Sequence, residues 1–512
     1  MGILTSQEKN YVSIFIKPTI DLTTVLSVAE KGVCFAMGKL SYGNPYYATI
    51  LGRATEKLQS TNVNAGGDLD NELAFHIADY FAGYKGKMLI ARVIEADSTT
   101  KILKVVKNSD TGAMELDQAT DINVFGTDNI MDWEDVAVDK VVEVVTTSLI
   151  SKKHSIQIIN KDDFLTIQLF DEFGNEVYKV EGGAKYDSVD DNGNPNFIGN
   201  LYDKKVMIVK VNPNNADYES NFTITQTFDN GLLTTSGAKN YAKALEVMSN
   251  NIEKCDYYIT AGLRDATTIQ SMRGIGYEAK ALFVCDVIGN AQNDAITYKT
   301  TLGLGYEDII YNWNRGKDNF GTLGNLNVGL SGWYVGQAVR RNLSKLVGDV
   351  EFRIEGIAGV DYALPRVKAD DLPVLTDEQK TELTDNRINT VREFNGKLVL
   401  ADVLSGNPKE QTTKLYPVVE GKFFIDRAIS KIMASKFFKN LNEAKSFITE
   451  NVRVLLDRCD RNDYFNSDED VRYSFEVTKK DSDTIVVNYQ YVPNGVMRKG
   501  IVSGTLTKKI EA

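Results

Sequence analysis

The sequence predicts a multidomain protein of the α/β and α+β classes, with a β-rich insertion and extended terminal arms. Its 512 residues exceed the roughly 250 to 300 residues that one hydrophobic core can serve, so we expect about two to four domains. From about residue 96, β-branched runs are punctuated by Asn, Asp and Gly, which favours strands and tight turns. From about residue 236, helical patterns alternate with apolar strands, as is typical of an α/β domain.

The N-terminal region is predicted to hold a short strand and a helix. Tyr11 to Ile16 is rich in β-branched and aromatic residues and is followed by Lys17-Pro18, which stops a strand. Asp68 to Tyr84 carries apolar residues at helical spacing. His76 falls within that helix, and we interpret it as an ordinary helical residue and not as a metal ligand.

The β-rich region contains a hairpin and a loop that resembles a calcium site. Phe164 to Phe170 and Glu176 to Val180 are strand-like and flank a turn. Asp187 to Pro195 looks like a calcium-binding loop, but Ser188 stands where an acidic residue is required and Gly199 occupies the closing glutamate position. We therefore predict a solvated loop.

The middle of the chain offers the best candidates for an active site. A helical pattern from Tyr241 to Ile252 precedes the strand Tyr257 to Thr260, and a second helical stretch precedes Ala281 to Ile288. Asp265 and Asp286 lie near the ends of these strands, where α/β enzymes place catalytic groups. No phosphate-binding loop or nucleophile elbow accompanies them, and the glycines near residues 302–305 and 327–332 are explained by turns and close packing.

The last part of the chain is predicted to form an α+β unit behind a polar, acidic linker at residues 367–385. The predicted elements are a short helix beginning near Thr376, a strand from Lys397 to Ala401, a helix from Phe423 to Ala434, and strands at Arg472 to Val477 and Thr484 to Tyr491.

Charge and residue counts exclude several classes of function. A net charge of -12 disfavours a surface built for nucleic-acid phosphates. Only two histidines, His76 and His154, are present. This disfavours a mechanism with a histidine base and a metal site with several histidine ligands. The cysteines lack C-x-x-C spacing and are expected to be buried or free thiols; they are Cys34, Cys255, Cys285 and Cys459. The sequence shows neither a signal peptide nor an apolar run long enough for a bilayer, so the protein is expected to stay in the compartment where it is made.

Three segments within residues 236 to 512 are similar to motifs of one known protein family. Asn386 to Leu404 is similar to the family passage G-I-N-x-I followed by G-x-x-V-W-G-x-R-T, although Arg387 replaces a glycine and Ala401-Asp-Val-Leu404 replaces the tryptophan-glycine-arginine-threonine string. Glu420 to Asn442 is similar to the family helix that ends in an F-E-P-N type turn, and Ser331 to Ala338 corresponds to a P-S-G-x-x-A-G segment. On these segments and their order, residues 236 to 512 resemble the contractile phage tail sheath family, and sheaths of bacterial contractile injection systems are similar in the same way.

The resemblance implies a non-enzymatic structural protein without cofactors or bound metal. Sheath subunits of this family stack as hexameric-type rings in a helical lattice around a tail tube, and they contract to drive that tube through a host envelope. The implied partners are other copies of the chain, the tail tube protein, and baseplate and tail terminator proteins, with no direct nucleic-acid or membrane contact. The implied location is the virion tail, assembled in the host cytoplasm.

Two sets of residues are predicted to carry assembly. The N-terminal and C-terminal arms each contain a strand that could add to the sheet edge of a neighbour; the residues are Val12, Ile14, Ile16, Ile501, Ser503 and Thr505. Pairing of both arms within their own subunit is the alternative. A local excess of positive charge between residues 422 and 445 is predicted, by the family's arrangement, to face the tube through Lys422, Arg427 and Lys431, and a merely solvated helix face is the alternative.

Other functions stay open at the level of sequence. The nearest rival is a sheath of a bacterial contractile injection system, and rivals of other classes are an α/β enzyme using Asp265 or Asp286 and a cell-surface or S-layer protein. The predicted domains are an N-terminal arm (1–21), an N-terminal α/β segment packing with the middle domain (22–95), a β-rich insertion (96–235), an α/β middle domain (236–375), a C-terminal domain (376–492) and a C-terminal arm (493–512).

Overall fold

The computed structural model describes residues 32–40, 42–52, 73–83, 86–117, 120–127, 129–212, 220–228, 237–313, 316–317, 327–344, 355–364, 372–409 and 413–495. The helices among them are α1 (Leu73–Gly83), α2 (Tyr241–Asn251), α3 (Ala266–Glu278), α4 (Gln292–Leu302), α5 (Ser331–Ser344), α6 (Asp377–Asp385), α7 (Tyr416–Ala434) and α8 (Leu441–Arg461). None of the helices in these ranges combines the length and apolar character that crossing a membrane would need.

An eight-stranded sheet forms the centre of the α/β part. Its strands are β1 (Cys34–Gly38), β2 (Thr49–Leu51), β3 (Met88–Arg92), β13 (Tyr257–Ile259), β14 (Leu282–Asp286), β15 (Ile309–Trp313), β18 (Ile388–Phe394) and β19 (Lys397–Leu400). They lie in the order β19-β18-β15-β14-β13-β1-β3-β2. The six inner strands are parallel, and the edge strands β2 and β19 are antiparallel to their neighbours. The chain order reverses between β1 and β13, as in a doubly wound fold.

Helices cover both faces of this sheet, because its strands alternate buried residues between two cores. Cys34 and Ala36 of β1 point to a core shared with α1, α5 and α7. Phe35 and Met37 point to a core shared with α2, α3 and α4. Apolar residues on both faces of one strand explain the continuous hydrophobic runs in the sequence.

The strands between residues 99 and 228 pair among themselves in two sheets. They are β4 (Thr99–Lys107), β5 (Met114–Leu116), β6 (Thr120–Asn123), β7 (Val142–Thr146), β8 (His154–Lys161), β9 (Phe164–Phe170), β10 (Glu176–Gly183), β11 (Met207–Val211) and β12 (Phe222–Phe228). One sheet has the order β11-β7-β4-β5 with β6 also on β4, and the other has the order β10-β9-β8-β12. Both contribute to one core, with Val144 from the first and Ile158 and Ile167 from the second, so the insertion is a β-sandwich.

The last described part packs α7 and α8 against a two-stranded sheet of β20 (Tyr473–Lys479) and β21 (Ile485–Tyr491). Its core includes Ile425 and Ile429 from α7, Val452 from α8 and Val477 from β20. The remaining described strands, β16 (Gly316–Lys317) and β17 (Asn327–Val328), form a small antiparallel pair.

The central sheet extends past residue 376, where the sequence predicted the C-terminal domain to begin. Ile388 of β18 pairs in parallel with Tyr311 of β15, so the strand predicted at Lys397 to Ala401 completes the α/β sheet. The four cysteines are buried and free, as predicted. The loop that resembles a calcium site is exposed, and Asp190 accepts hydrogen bonds from the backbone N–H groups of Asn192 and Asn194, so the carboxylate closes a turn in its own loop.

Candidate functional site

Asp286, one of the two catalytic candidates, caps a helix. It ends β14 and is almost fully buried. Its Oδ1 accepts hydrogen bonds from the backbone N–H groups of Leu330 (2.7 Å) and Ser331 (2.8 Å) at the start of α5. Its Oδ2 accepts from the hydroxyls of Ser331 (2.6 Å) and Thr260 (3.1 Å). A carboxylate at a helix N-terminus satisfies N–H groups that have no partner within the helix and favours the helix dipole.

Ser331, His76 and Asp286 lie together but do not form a nucleophilic triad. In such a triad, histidine stands between the carboxylate and the serine and accepts the serine proton. Here His76 Nδ1 lies 3.2 Å from the Ser331 hydroxyl oxygen, and His76 Nε2 lies 3.7 Å from Asp286 Oδ2. The Ser331 hydroxyl nevertheless donates to Asp286 Oδ2 at 2.6 Å, and His76 Nδ1 accepts the backbone N–H of Gly332 at 3.1 Å, so the carboxylate and not the histidine accepts the serine proton. His76, Asp286 and Ser331 are all buried. The cluster joins α1, β14 and α5, and its hydrogen bonds are structural.

Asp265 has the same kind of role at another helix. Its side chain accepts from the backbone N–H of Thr268 (2.7 Å) and from the Thr268 hydroxyl (2.6 Å), and it is the N-cap of α3. Both aspartates that the sequence singled out therefore hold helix N-termini. The signal that marked them, an acidic residue after a buried strand, is the same for a cap and for a catalytic group.

Lys422 and Arg427, which were predicted to face a tube, form ion pairs with acidic residues of the same chain. Lys422 Nζ lies 2.6 Å from Glu307 Oε1; burial lowers the pKa of Lys422, but the hydrogen bond and charge of Glu307 outweigh it and raise the pKa overall. The Arg427 guanidinium pairs with Asp256 and donates to the Cys255 carbonyl (3.1 Å). These pairs tie α7 to the central α/β part.

The third residue of that set, Lys431, is exposed on α7. Asp256, which pairs with Arg427, also accepts the backbone N–H of Gly32 at 2.6 Å. Gly32, which precedes β1, is thus held to α7 through the Asp256 carboxylate. The tube-facing role of Lys422, Arg427 and Lys431 stays a prediction.

A buried ion pair that the sequence analysis missed crosses from α5 to α7. Arg341 lies 2.6 Å from Glu420, and both side chains are at most 4% exposed. The Tyr257 hydroxyl donates to the same carboxylate at 3.2 Å. Glutamate in a helix usually indicates a solvated face, so the sequence carried no local signal for this contact. Breaking such a pair on one side leaves a buried charge without compensation.

The β20–β21 hairpin has edges that can accept a further strand. Each strand is hydrogen-bonded to the other, and no further strand of the described chain joins them. A two-stranded sheet is marginally stable alone, and its outer edges expose backbone groups that can pair with another strand. The predicted arm residues Val12, Ile14, Ile16, Ile501, Ser503 and Thr505 lie outside the described residues.

Comparison with solved structures extends over nearly the whole chain. A chain in the structure described as the anti-feeding prophage (AFP) baseplate, 6-fold symmetrised, matches with a TM-score of 0.51 and 12% identity, covering 98% of this chain and 100% of that chain. The two chains share a fold. This full-length match includes the β-sandwich as well as the α/β part.

Two other solved structures are described as sheath proteins. The sheath tail protein of Desulfitobacterium hafniense matches with a TM-score of 0.48 and 12% identity, covering 94% of this chain and 99% of that chain. The AFP helical sheath in the contracted state matches with a TM-score of 0.49 and 11% identity, covering 99% and 100%. No protein-family model and no curated protein matches the sequence. The chain is similar to solved structures that are described as sheath proteins, as the resemblance of the sequence predicted.

Proposed function

We propose that this protein is the structural subunit of a contractile tail sheath. It polymerises helically around a tail tube and contracts to drive the tube through a host envelope for genome delivery. The observation that carries the proposal is the fold shared, along almost the entire chain, with a chain of the 6-fold symmetrised AFP baseplate. The sequence resemblance of residues 236 to 512 to sheath proteins supports the same function.

The partners follow from this function. Copies of the chain form hexameric-type rings that stack in a lattice, in contact with a tail tube protein and with baseplate and terminator proteins. No nucleotide is needed, because the energy resides in an extended lattice that repacks into a shorter one. The assembled protein belongs to a virion tail, or, in the nearest rival function, to a bacterial contractile injection system.

Strand addition to the β20–β21 hairpin gives the lattice a physical means of staying connected. Main-chain hydrogen bonds to an open sheet edge give affinity without requiring a rigid subunit interface. We propose that the terminal arms of neighbouring copies provide these strands. Subunits joined in this way can rotate during contraction while their hydrogen-bonded strands remain paired.

Electron microscopy of the purified chain tests the assembly directly. We expect rings or long hollow tubes from the full-length protein. We expect dispersed subunits from a variant that lacks the N-terminal arm (1–21) and the part of the C-terminal arm (493–512) that follows residue 495. A folded monomer that never assembles under any salt or protein concentration would contradict the proposal. Unchanged tubes after removal of both arms would contradict the arm mechanism alone.

Engineered cysteines can show whether the arms cross between copies. The four native cysteines are buried, so an added exposed thiol reacts selectively. Ser503→Cys and Gln490→Cys would be made as two separate variants, and Gln490 is exposed on β21. The two variant proteins would be mixed and then oxidised mildly. Exchange between subunits predicts a covalent dimer, whereas pairing within one subunit predicts none. Substitution of the exposed Asn192 by Cys, far along the chain in the insertion, is the matched control.

The tube-facing proposal for Lys422, Arg427 and Lys431 is tested most simply at Lys431. Reversing the charge at Arg427 would break its ion pair with Asp256. A loss of sheath yield could then come from destabilised folding as well as from weaker binding to the tube. Lys431→Glu alters an exposed side chain and should lower the yield of sheath on tubes, with a stronger effect at low salt. If the wild type and Lys431→Glu give equal yields of sheath on tubes at every ionic strength, the proposed contact of Lys431 with the tube is wrong.

A further inference from the structure

The turn between α7 and α8 presents two phenyl rings to solvent. Phe438 is 85% exposed and Phe437 is 48% exposed. Lys436 and Lys439 flank them. Lys436 lies 3.8 Å from Glu443, so the charge that the turn offers to a partner is mainly that of Lys439. We call residues 436–440 the aromatic turn. Large apolar side chains that stay exposed next to each other mark interaction surfaces more often than random surface positions do.

The backbone at Phe438 shows that local stability does not account for this residue. Its φ is +62°, in the left-handed region that glycine or asparagine adopts at helix ends with the least strain. A bulky side chain is costly in this conformation, and Phe438 buries little of its surface in return. A phenylalanine at this position therefore gains nothing for the isolated subunit.

The aromatic turn is held in one shape. The backbone N–H of Lys436 donates to the Met433 carbonyl (3.0 Å), and that of Lys439 donates to the Lys436 carbonyl (3.3 Å). Asn440 caps α8 by accepting from the N–H groups at its start. The Lys436 ammonium lies 4.1 Å from the centre of the Phe447 ring. A fixed turn loses little conformational entropy on binding, as an interface anchor requires.

The opposite end of α8 carries complementary chemistry. A surface pocket of about 520 Å³ lies where α8 leads into β20, and the residues that line it include Asp468, Glu469 and Asp470. Arg472 of the same pocket is paired with Asp460, which leaves the three consecutive acids in excess. Val471, also in the lining, is 71% exposed and offers an apolar contact for a ring.

We propose that the aromatic turn of one copy docks into the acidic pocket of the next copy. This inference rests on the proposed self-assembly and names a contact for it. The helix α8 has 21 residues, so it separates the two ends by about 30 Å. Complementary surfaces at opposite ends of one rigid element cannot meet within a subunit. They form a head-to-tail contact, which generates rings or helical filaments.

Replacing Phe438 is the first test of the proposed contact. Phe438→Gly should leave the melting temperature of the subunit unchanged or higher, because glycine suits the left-handed backbone. The same change should raise the protein concentration needed for polymerisation, measured by sedimentation, by at least about tenfold, as for a central aromatic anchor. Phe173→Ser, at a ring that is 80% exposed in the β-sandwich, is the matched control and should leave polymerisation unchanged.

Charge exchange identifies the partner surface. Lys439→Glu and Glu469→Lys should each weaken polymerisation, and the two changes in one chain should restore it, because every copy in a head-to-tail polymer carries both. If Glu469→Lys has no effect on polymerisation while Lys439→Glu weakens it, the aromatic turn contacts another surface of the neighbouring copy, and docking into the acidic pocket is wrong. If the wild-type chain polymerises and Phe438→Gly does so equally well, this inference fails and the proposed function stands. If the wild-type chain never polymerises, both fail.

Discussion

At the scale of single residues, this chain uses its buried charged groups to satisfy main-chain atoms at the ends of strands and helices. Asp286 accepts two backbone N–H groups of α5. Arg92 donates to the carbonyls of Gly43 (2.9 Å), Ser148 (2.9 Å) and Leu149 (2.6 Å). Lys299 donates to the carbonyls of Asn386 and Gly406. Because an unpaired buried polar group costs more than a hydrogen bond gains, these residues are sensitive positions for stability.

Asp286→Asn should destabilise the protein by about 2 to 4 kcal/mol, because hydrogen bonds to a buried charge contribute more than neutral ones. The new amide group would also place donors against the N–H groups of Leu330 and Ser331. The control is Asp265→Asn at the N-cap of α3, where asparagine caps as well as aspartate and the change should be a few tenths of a kcal/mol. Urea unfolding of both variants measures the difference. Equal losses of unfolding free energy would contradict the role of the buried Asp286 carboxylate at the start of α5.

Because of Lys299, we expect the free energy of unfolding to change with pH in the alkaline range. Burial, and then the charge of Arg387, lower the pKa of Lys299 from 10.5 to about 8. Between pH 8 and 10.5 the unfolded chain therefore holds a proton that the folded chain has lost, so stability relative to a variant without this amine rises with pH. The unfolding free energy of the wild type minus that of Lys299→Met should increase by on the order of 3 kcal/mol across this range. A constant difference would show that the folded lysine stays charged.

At the scale of elements, α1 and α5 cross closely because glycines stand at the contact. A Cβ added to Gly332 would lie 2.3 Å from the His76 carbonyl oxygen, and one added to Gly336 would lie 2.7 Å from the Tyr80 carbonyl oxygen. Gly83 of α1 meets Gly336 in the same way. Small residues on both helices let the backbones approach, and this places His76 beside the start of α5.

Gly332→Ala should therefore destabilise the protein by about 2 kcal/mol or more, since the atoms it meets belong to backbone and cannot move aside cheaply. Gly274 in α3 is the matched control, because a Cβ there meets no atom within 4 Å. Gly274→Ala should stabilise the protein by about 0.5 to 1 kcal/mol through helix propensity. Thermal unfolding of the two variants should shift in opposite directions, and shifts of the same sign would contradict the close crossing.

Elements with a strong periodic pattern could be predicted from the sequence, and contacts between elements could not. The helix at Tyr241–Asn251, the strand at Leu282–Asp286 and the β20–β21 hairpin lie close to their predicted positions. Helix α8 was missed, although Ala444, Ile448, Val452 and Leu456 are buried at a spacing of four and gave a usable signal. The pairing of Arg341 with Glu420 depends on how α5 meets α7, which no local pattern specifies.

At the scale of the whole molecule, the β-sandwich is inserted between two neighbouring points of the α/β part. Glu95 and Lys239 pair as an isolated bridge. The backbone N–H of Ala96 donates to the Ala238 carbonyl at 2.8 Å, and that of Asn240 donates to the Ile94 carbonyl at 2.9 Å. The chain thus leaves and re-enters the α/β part at one place, so the sandwich can be removed without stretching the remainder.

Replacing residues 97–237 by two glycines should leave a folded α/β part, since a two-residue turn joins adjacent antiparallel strands. The excision removes two of the three carbonyls that accept from Arg92, whose pKa burial lowers to about 9. Adding Arg92→Met should therefore raise the melting temperature of the excised protein, whereas the same change in the full-length chain should lower it, because there the guanidinium satisfies three carbonyls. Circular dichroism and thermal unfolding measure both effects. Arg92→Met acting in the same direction in both backgrounds would contradict the view that Arg92 holds the sandwich to the α/β part.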